Sequence, residues 1–250
     1  YISYKKDIEN LGFAIKYIDS SIDVNDNPQS PSYPALSFMS RKILPGQGGS
    51  PFNVPVTWYG RPLGSAFPSP ISPKNIDQYH ISGSVNVELV NQSNLEVSFT
   101  KSRHKNFHNR PDTINSRMEN AIAGNGGVNG DETWNLFNPL LNSSSLIEYI
   151  KGSEQSLKIG ELKSFDAIFR TKLGENNLAI GLQLNQESLD VSYNELSRAE
   201  FDTDGDLIKS ADLLFLGGGS NTFAKREKEA IFFEFEKIFS ENFDILFASR

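Results

Sequence analysis

Cysteine is absent from the sequence, which excludes disulfides and thiolate metal sites. Basic residues are in the minority, with 24 Lys and Arg against 31 Asp and Glu and a formal net charge of −7. No basic stripe is available to neutralise a phosphate backbone, so a nucleic-acid partner is excluded. Long apolar runs are missing too. Mean hydropathy is −0.40, and no stretch approaches the roughly 18 apolar residues of a membrane helix. That absence excludes helical spans only, because barrel strands show nothing stronger than alternating apolarity. The chain starts at Tyr1 without a basic n-region or an apolar h-region, so no signal peptide is seen. It stops at Phe247-Ala248-Ser249-Arg250 inside a strand-like pattern, and both ends read as cut.

What is present is period-2 alternation, the mark of strands with two unlike faces. From Tyr79 to Thr100, Tyr79, Ile81, Val85, Val87 and Leu89 oppose His80, Ser82, Ser84, Asn86 and Glu88. After a turn at Asn91-Gln92-Ser93-Asn94, Leu95, Val97 and Phe99 oppose Glu96, Ser98 and Thr100. A second hairpin turns at Gly174-Glu175-Asn176-Asn177, with Phe165, Ala167, Phe169 and Leu173 before it and Leu178, Ile180, Leu182 and Leu184 after it. A third turns near Ser240-Glu241-Asn242, between Ile231, Phe233, Phe235 and Phe239 on one side and Phe243, Ile245 and Phe247 on the other. A partial hairpin joins Tyr1–Tyr4 to Leu11, Phe13, Ile15 and Tyr17 through a turn at Asp7–Asn10. Ile168, Phe232 and Leu246 break the pattern by falling on the polar face.

Between these hairpins lie segments without alternation, at about 25–77, 107–155 and 194–221. Each far exceeds the usual connection of roughly 4–6 residues. Very short turns therefore alternate with very long loops, an asymmetry typical of outer-membrane barrels with short periplasmic turns and long extracellular loops. The expectation is an all-β chain: a section of an antiparallel transmembrane β-barrel with about eight meandering strands, two of them short, and loops carrying short helices. The apolar face is expected against outer-membrane lipid, with Phe235, Phe239 and Phe243 in an interfacial aromatic girdle. The competing expectation is a soluble sheet whose apolar face packs on a core. The stubs Tyr1–Tyr4 and Phe243–Arg250 fall short of the roughly 9–11 residues of a spanning strand. The chain is accordingly expected to be part of a larger barrel.

Three segments carry a resemblance. The first is Arg110-Pro-Asp-Thr-Ile-Asn-Ser-Arg-Met-Glu-Asn-Ala-Ile-Ala-Gly124, followed by a Gly/Asn run and Trp134-Asn-Leu-Phe-Asn-Pro139. The second is Ser145-Leu-Ile-Glu-Tyr-Ile-Lys-Gly152, leading into the strand from Leu162 to Leu173. The third is Asp212-Leu-Leu-Phe-Leu-Gly-Gly-Gly-Ser220, followed by Arg226-Glu. Together they make most of residues 79–250 resemble the barrel of a TonB-dependent receptor; residues 1–78 match in layout alone. The resemblance implies a 22-stranded barrel with a plugged lumen. It implies a nutrient ligand such as an iron chelate, cobalamin, an oligosaccharide or a peptide. It also implies energy supplied by the TonB complex through a plug domain that lies outside these residues. A passive porin-like channel and a surface adhesin barrel are the alternatives.

Local features add candidates. Asp112 to Ala123 reads as a helix with Asp112 or Thr113 as N-cap and Gly124 at its end. Ser144 to Lys151 reads as another. The loops offer Trp134, Asn135, Phe137 and Asn138, and in the first long segment Trp58 and Tyr59, as ligand contacts: flat aromatic faces and amide hydrogen bonds suit sugars or chelates. A buried Trp that merely anchors the loop is the competing reading. Asp202, Asp204 and Asp206 alternate like the start of a calcium loop, but Leu207 stands where Gly is needed and Leu213 where Glu is, so a solvated acidic turn is expected. His104 and His108, four apart on a strand, are roughly 13 Å from each other and too distant to share a metal. The Gly124–Gly130 run lacks the Lys-Ser/Thr of a phosphate loop and reads as a flexible linker. No cofactor is implied, and no nucleophile-and-base arrangement supports an enzyme.

Overall fold

A computed structural model describes residues 1–28, 39–63, 67–240 and 243–249. Eight strands form one antiparallel sheet in the order β1-β2-β5-β6-β7-β8-β11-β12. They are β1 (Ile2–Ile8), β2 (Leu11–Val24), β5 (Lys74–Leu89), β6 (Ser93–Thr113), β7 (Lys151–Leu173), β8 (Asn176–Tyr193), β11 (Thr222–Ser240) and β12 (Phe243–Ser249). Two small hairpins lie in the long connections: β3 (Met39–Ile43) with β4 (Val56–Gly60), and β9 (Glu200–Phe201) with β10 (Leu207–Lys209). The sheet is open, with β1 and β12 at its edges among the described residues.

The expected hairpins are all present, and all four tight turns lie at one end of the sheet. Three are fully described, and their backbones use the left-handed region. Glu9, Asn91, Gln92 and Gly174 all have positive φ, which lets two twisted strands reverse within two or three residues. In the fourth, Glu241 and Asn242 lie outside the described residues.

The strands run further than alternation indicates. β6 has 21 residues and β7 has 23, spanning roughly 70 Å at about 3.3 Å per residue. Their register continues past Thr100↔Ser164 to Asp112↔Gly152 and Thr113↔Lys151. The expected loop at 107–155 thus shrinks to residues 114–150, and β5 begins at Lys74 inside the expected first loop. In these outer stretches apolar residues such as Phe107, Leu157 and Ile159 are few and interspersed with charge on the same face, so hydrogen-bonded strand carries no clear period-2 signal.

The register gathers the apolar positions into one band next to the tight turns. Phe13 lies beside Val85, Val85 beside Val97, and Val97 beside Ala167. The band continues through Ala167 to Leu182 and Ile231. Val85, Phe99, Ile180, Leu182, Leu184, Ile231 and Phe233 are all exposed, and among the described residues no layer covers them. Two of the three misfits on the opposite face, Ile168 and Phe232, are explained by a glycine, while Leu246 lies opposite Glu236. Ile168, Gly181 and Phe232 form one cross-strand row, and the Phe232 ring occupies the space that a Cβ on Gly181 would fill.

The buried hydrophobics lie elsewhere. Ile43, Met118, Ala121, Ile122, Trp134, Leu136, Leu146 and Ile150 form one cluster contributed by the long connections. Helices α1 (Asn115–Ile122) and α2 (Ser144–Ile150) each turn one stripe into it. The long connections therefore hold the folded core, while the sheet is a bare wall.

Candidate functional site

The site is built where the three long connections meet. The middle one, residues 114–150, is the hub. Its first helix begins at Ile114, with no side-chain cap from the expected Asp112 or Thr113. Those two residues end β6 instead. Asp212 of the third connection does the capping, its carboxylate accepting from Ser116 N at 2.8 Å and from Ser116 Oγ at 2.5 Å. Asp112 is buried and accepts from Thr113 N at 2.6 Å, Leu216 N at 2.6 Å and Phe215 N at 3.3 Å. An N-cap and a strand-end clamp need the same short acceptor, so local sequence does not separate them. Burial pushes the Asp112 carboxyl above the usual carboxylate range, with the Leu216, Thr113 and Phe215 amides pulling the other way. Arg110 pairs with the buried Glu154 across the β6–β7 ladder beneath this junction.

The first connection attaches to the other side of the hub. Gly48 N donates to Ile122 O at 3.0 Å, and Gly48 O accepts from Leu136 N at 2.9 Å. Arg41 Nε donates to Glu119 Oε1 at 2.6 Å. The Gly124–Gly130 run is not a loose linker: Gly126 and Glu132 exchange both backbone hydrogen bonds, at 2.7 and 3.0 Å. A Cβ on Gly126 would meet Ala121 at 2.6 Å, so glycine is required there for close packing rather than for mobility. The α2 helix is capped as a Ser start suggests, with Ser143 accepting from Leu146 N.

The aromatic and amide candidates separate into anchors and exposed groups. Trp134 is 0 % exposed and belongs to the cluster, so it offers no face to a ligand and holds the loop from within. Trp58 packs partly buried against the same cluster, whereas its strand neighbour Tyr59 is 70 % exposed. Asn135 is occupied with the loop: its N–H donates to Asn142 and its Oδ1 accepts from Asn138 N, both at 2.7 Å. Phe137 is exposed and meets Phe52 of the first connection edge-on at 5.9 Å. Asn138 is exposed at the start of a short 3-10 turn over Pro139–Leu141. Tyr59, Phe137 and Asn138 therefore present surface, and Trp134, Trp58 and Asn135 shape what they stand on.

A cavity of about 460 Å³ lies in this region. Leu63, Phe67, Pro70, Ile71 and Ile147 give it apolar walls, and Asp112, Glu148 and Lys151 give it polar edges. That composition, mostly apolar with a few polar groups, suits an organic ligand. Sequence reasoning missed these residues because they come from three separated segments.

Comparison with family models, with curated proteins and with solved structures gave no match.

The acidic turn resolves into local structure. Asp202 Oδ1 accepts from Asp204 N at 3.0 Å and from Asp206 N at 2.8 Å, closing the β9–β10 hairpin on its own backbone. Among the described residues no group of three metal-ligating side chains is present. His108 Nε2 lies 3.0 Å from Ser72 Oγ, and His80 Nδ1 lies 2.8 Å from Ser102 Oγ; both imidazoles are engaged with hydroxyls.

Proposed function

We propose that this chain forms part of the wall of an outer-membrane β-barrel in a Gram-negative bacterium, and that its folded loops receive a scarce nutrient for energy-coupled import. The observation that carries this reading is the bare apolar band. On neighbouring strands Phe13, Val85, Val97, Ala167, Leu182 and Ile231 share one face, while the buried hydrophobic cluster lies among the connections. In water that band is one wide apolar patch. In a bilayer it meets hydrocarbon, and each side chain taken from water contributes roughly 1.5–3 kcal/mol. Its length fits. Ile81 to Leu89 on β5 covers about nine residues, within the roughly 9–11 residues of a tilted membrane-spanning strand. Lipid also demands that every backbone group be paired. The antiparallel ladder pairs the inner strands, and further strands of a larger barrel pair β1 and β12.

On this reading the tight turns face the periplasm and the folded connections face outward. The cavity beside Leu63, Phe67 and Ile147 is where ligand is first held, and Tyr59, Phe137 and Asn138 are exposed elsewhere on the same connections. The ligand class is that of TonB-dependent receptors: an iron chelate, cobalamin, an oligosaccharide or a peptide. Energy comes from the TonB complex through a plug outside these residues. Uptake of a panel of such ligands, by cells with and without the gene, tests this. The expected result is gene-dependent accumulation that a protonophore abolishes. Gene-dependent flux that persists with the protonophore identifies a passive channel instead.

A further inference from the structure

On β6 and β7 the apolar band gives way to charge on its loop side, and the charges at that border are not all matched. Phe99 and Phe165 face each other in the row of β6 and β7 that ends the band, and the next row on the same face is Lys101 opposite Lys163. Like charges directly across a ladder repel, because their Cβ atoms stand roughly 4.5–5.5 Å apart. Nearby cations on this face have acidic partners. Arg103 Nε lies 3.4 Å from Glu161 Oε1, Lys105 Nζ lies 3.7 Å from Asp77 Oδ2, and Lys225 Nζ lies 2.6 Å from Glu227 Oε1. Gln186 donates to that same Glu227 at 2.8 Å. Among the described residues Lys101 has only the Tyr79 ring, 5.9 Å from its Nζ. Lys163 makes no ion pair or hydrogen bond with the described residues. Two facing cations with no acid between them leave positive charge without a partner.

We propose that Lys101 and Lys163 together hold the phosphate of an anionic membrane lipid on the loop side of the band, with its acyl chains lying along Phe99 and Phe165. This rests on the membrane reading above. The position decides for a lipid over a free anion: the two ammonium groups stand at the border of an apolar wall, on stems long enough to reach a headgroup while their methylenes lie along that wall. One phosphate also removes the repulsion between them.

The test compares spin-labelled phosphatidic acid with spin-labelled phosphatidylcholine as probes of the lipid held against the protein, reconstituted in phosphatidylcholine vesicles. The wild type is expected to immobilise phosphatidic acid in preference. K101Q/K163Q is expected to lose roughly 25-fold of that preference, at about five-fold per lysine, while K225Q keeps it. K163E pairs with Lys101 and relieves the repulsion, so it keeps the fold and is also expected to lose the preference. Equal selectivity in wild type and K163E overturns the proposal, as does equally tight binding of inorganic phosphate to the detergent-solubilised protein. Immobilised phosphatidylcholine without headgroup preference overturns the phosphate site and leaves the membrane reading standing. No immobilised lipid of either kind overturns both.

Discussion

Asp112 and Asp212 hold each other's segments. Asp112, at the end of β6, accepts amide hydrogens from Phe215 and Leu216, and Asp212, from that same segment, accepts from Ser116 at the start of α1. The two contacts lock the second and third connections together. Asp212→Ala removes the cap of α1 and is expected to cost roughly 0.5–2 kcal/mol. Asp112→Ala leaves buried amides unpaired and is expected to cost roughly 1–3 kcal/mol. Limited proteolysis checks both: cleavage within residues 207–221 should accelerate in each variant, with the pattern in β5–β8 unchanged.

The same junction has a pH signature. Burial raises the Asp112 carboxyl above its ordinary value, so the folded state holds this proton more tightly than the unfolded chain does. The contribution is fully present below the ordinary carboxylate value and is lost as pH rises through the raised one. Intrinsic-rate-corrected protection of the Phe215 and Leu216 amides is therefore expected to fall as pH rises through that window, and to stay flat in Asp112→Asn. Protection that increases with pH would contradict this.

Trp134 tests whether the connections have a core of their own. Trp134→Ala is expected to destabilise the loop cluster by roughly 3–5 kcal/mol. Trp58, the other of the two tryptophans, packs against the same cluster and reports its melting by fluorescence. Loss of the Trp58 transition well below that of the sheet is the expected result.

Gly181 tests the register. A side chain there meets the Phe232 ring, so Gly181→Val is expected to cost roughly 1–3 kcal/mol. Adding Phe232→Ala should recover most of the loss. A double-mutant cycle with no coupling would contradict the row Ile168, Gly181, Phe232.

Much of this was legible in the sequence, for a physical reason. Where one face is apolar, as along Val85–Leu89 and Leu95–Phe99, period 2 declares the strand and its orientation. Where both faces are polar, as along His108–Thr113, the same ladder continues by backbone hydrogen bonds that leave no pattern. The candidate site was harder. Trp134 read equally well as ligand platform or anchor, because what buries it comes from residues such as Ile43 and Ile150, far away in the chain. Asp112 looked like an N-cap because its true donors, Phe215 and Leu216, lie in another connection. The glycines at 126 and 127 looked loose because a glycine needed for close packing and one needed for freedom are written alike.

The central claim is that the bare face of the sheet meets lipid. These 250 residues have no cysteine, so an introduced thiol is the only one among them to label. Cysteines at Val85, Val97, Phe169, Ile180 or Phe233 should react with lipid-soluble maleimides and resist water-soluble ones in native membranes. Cysteines at Ser84, Ser98, Asp166 or Gln183, one step along the same strands, should behave oppositely, because successive side chains point to opposite faces. Equal labelling of the two sets by the water-soluble reagent would contradict the account.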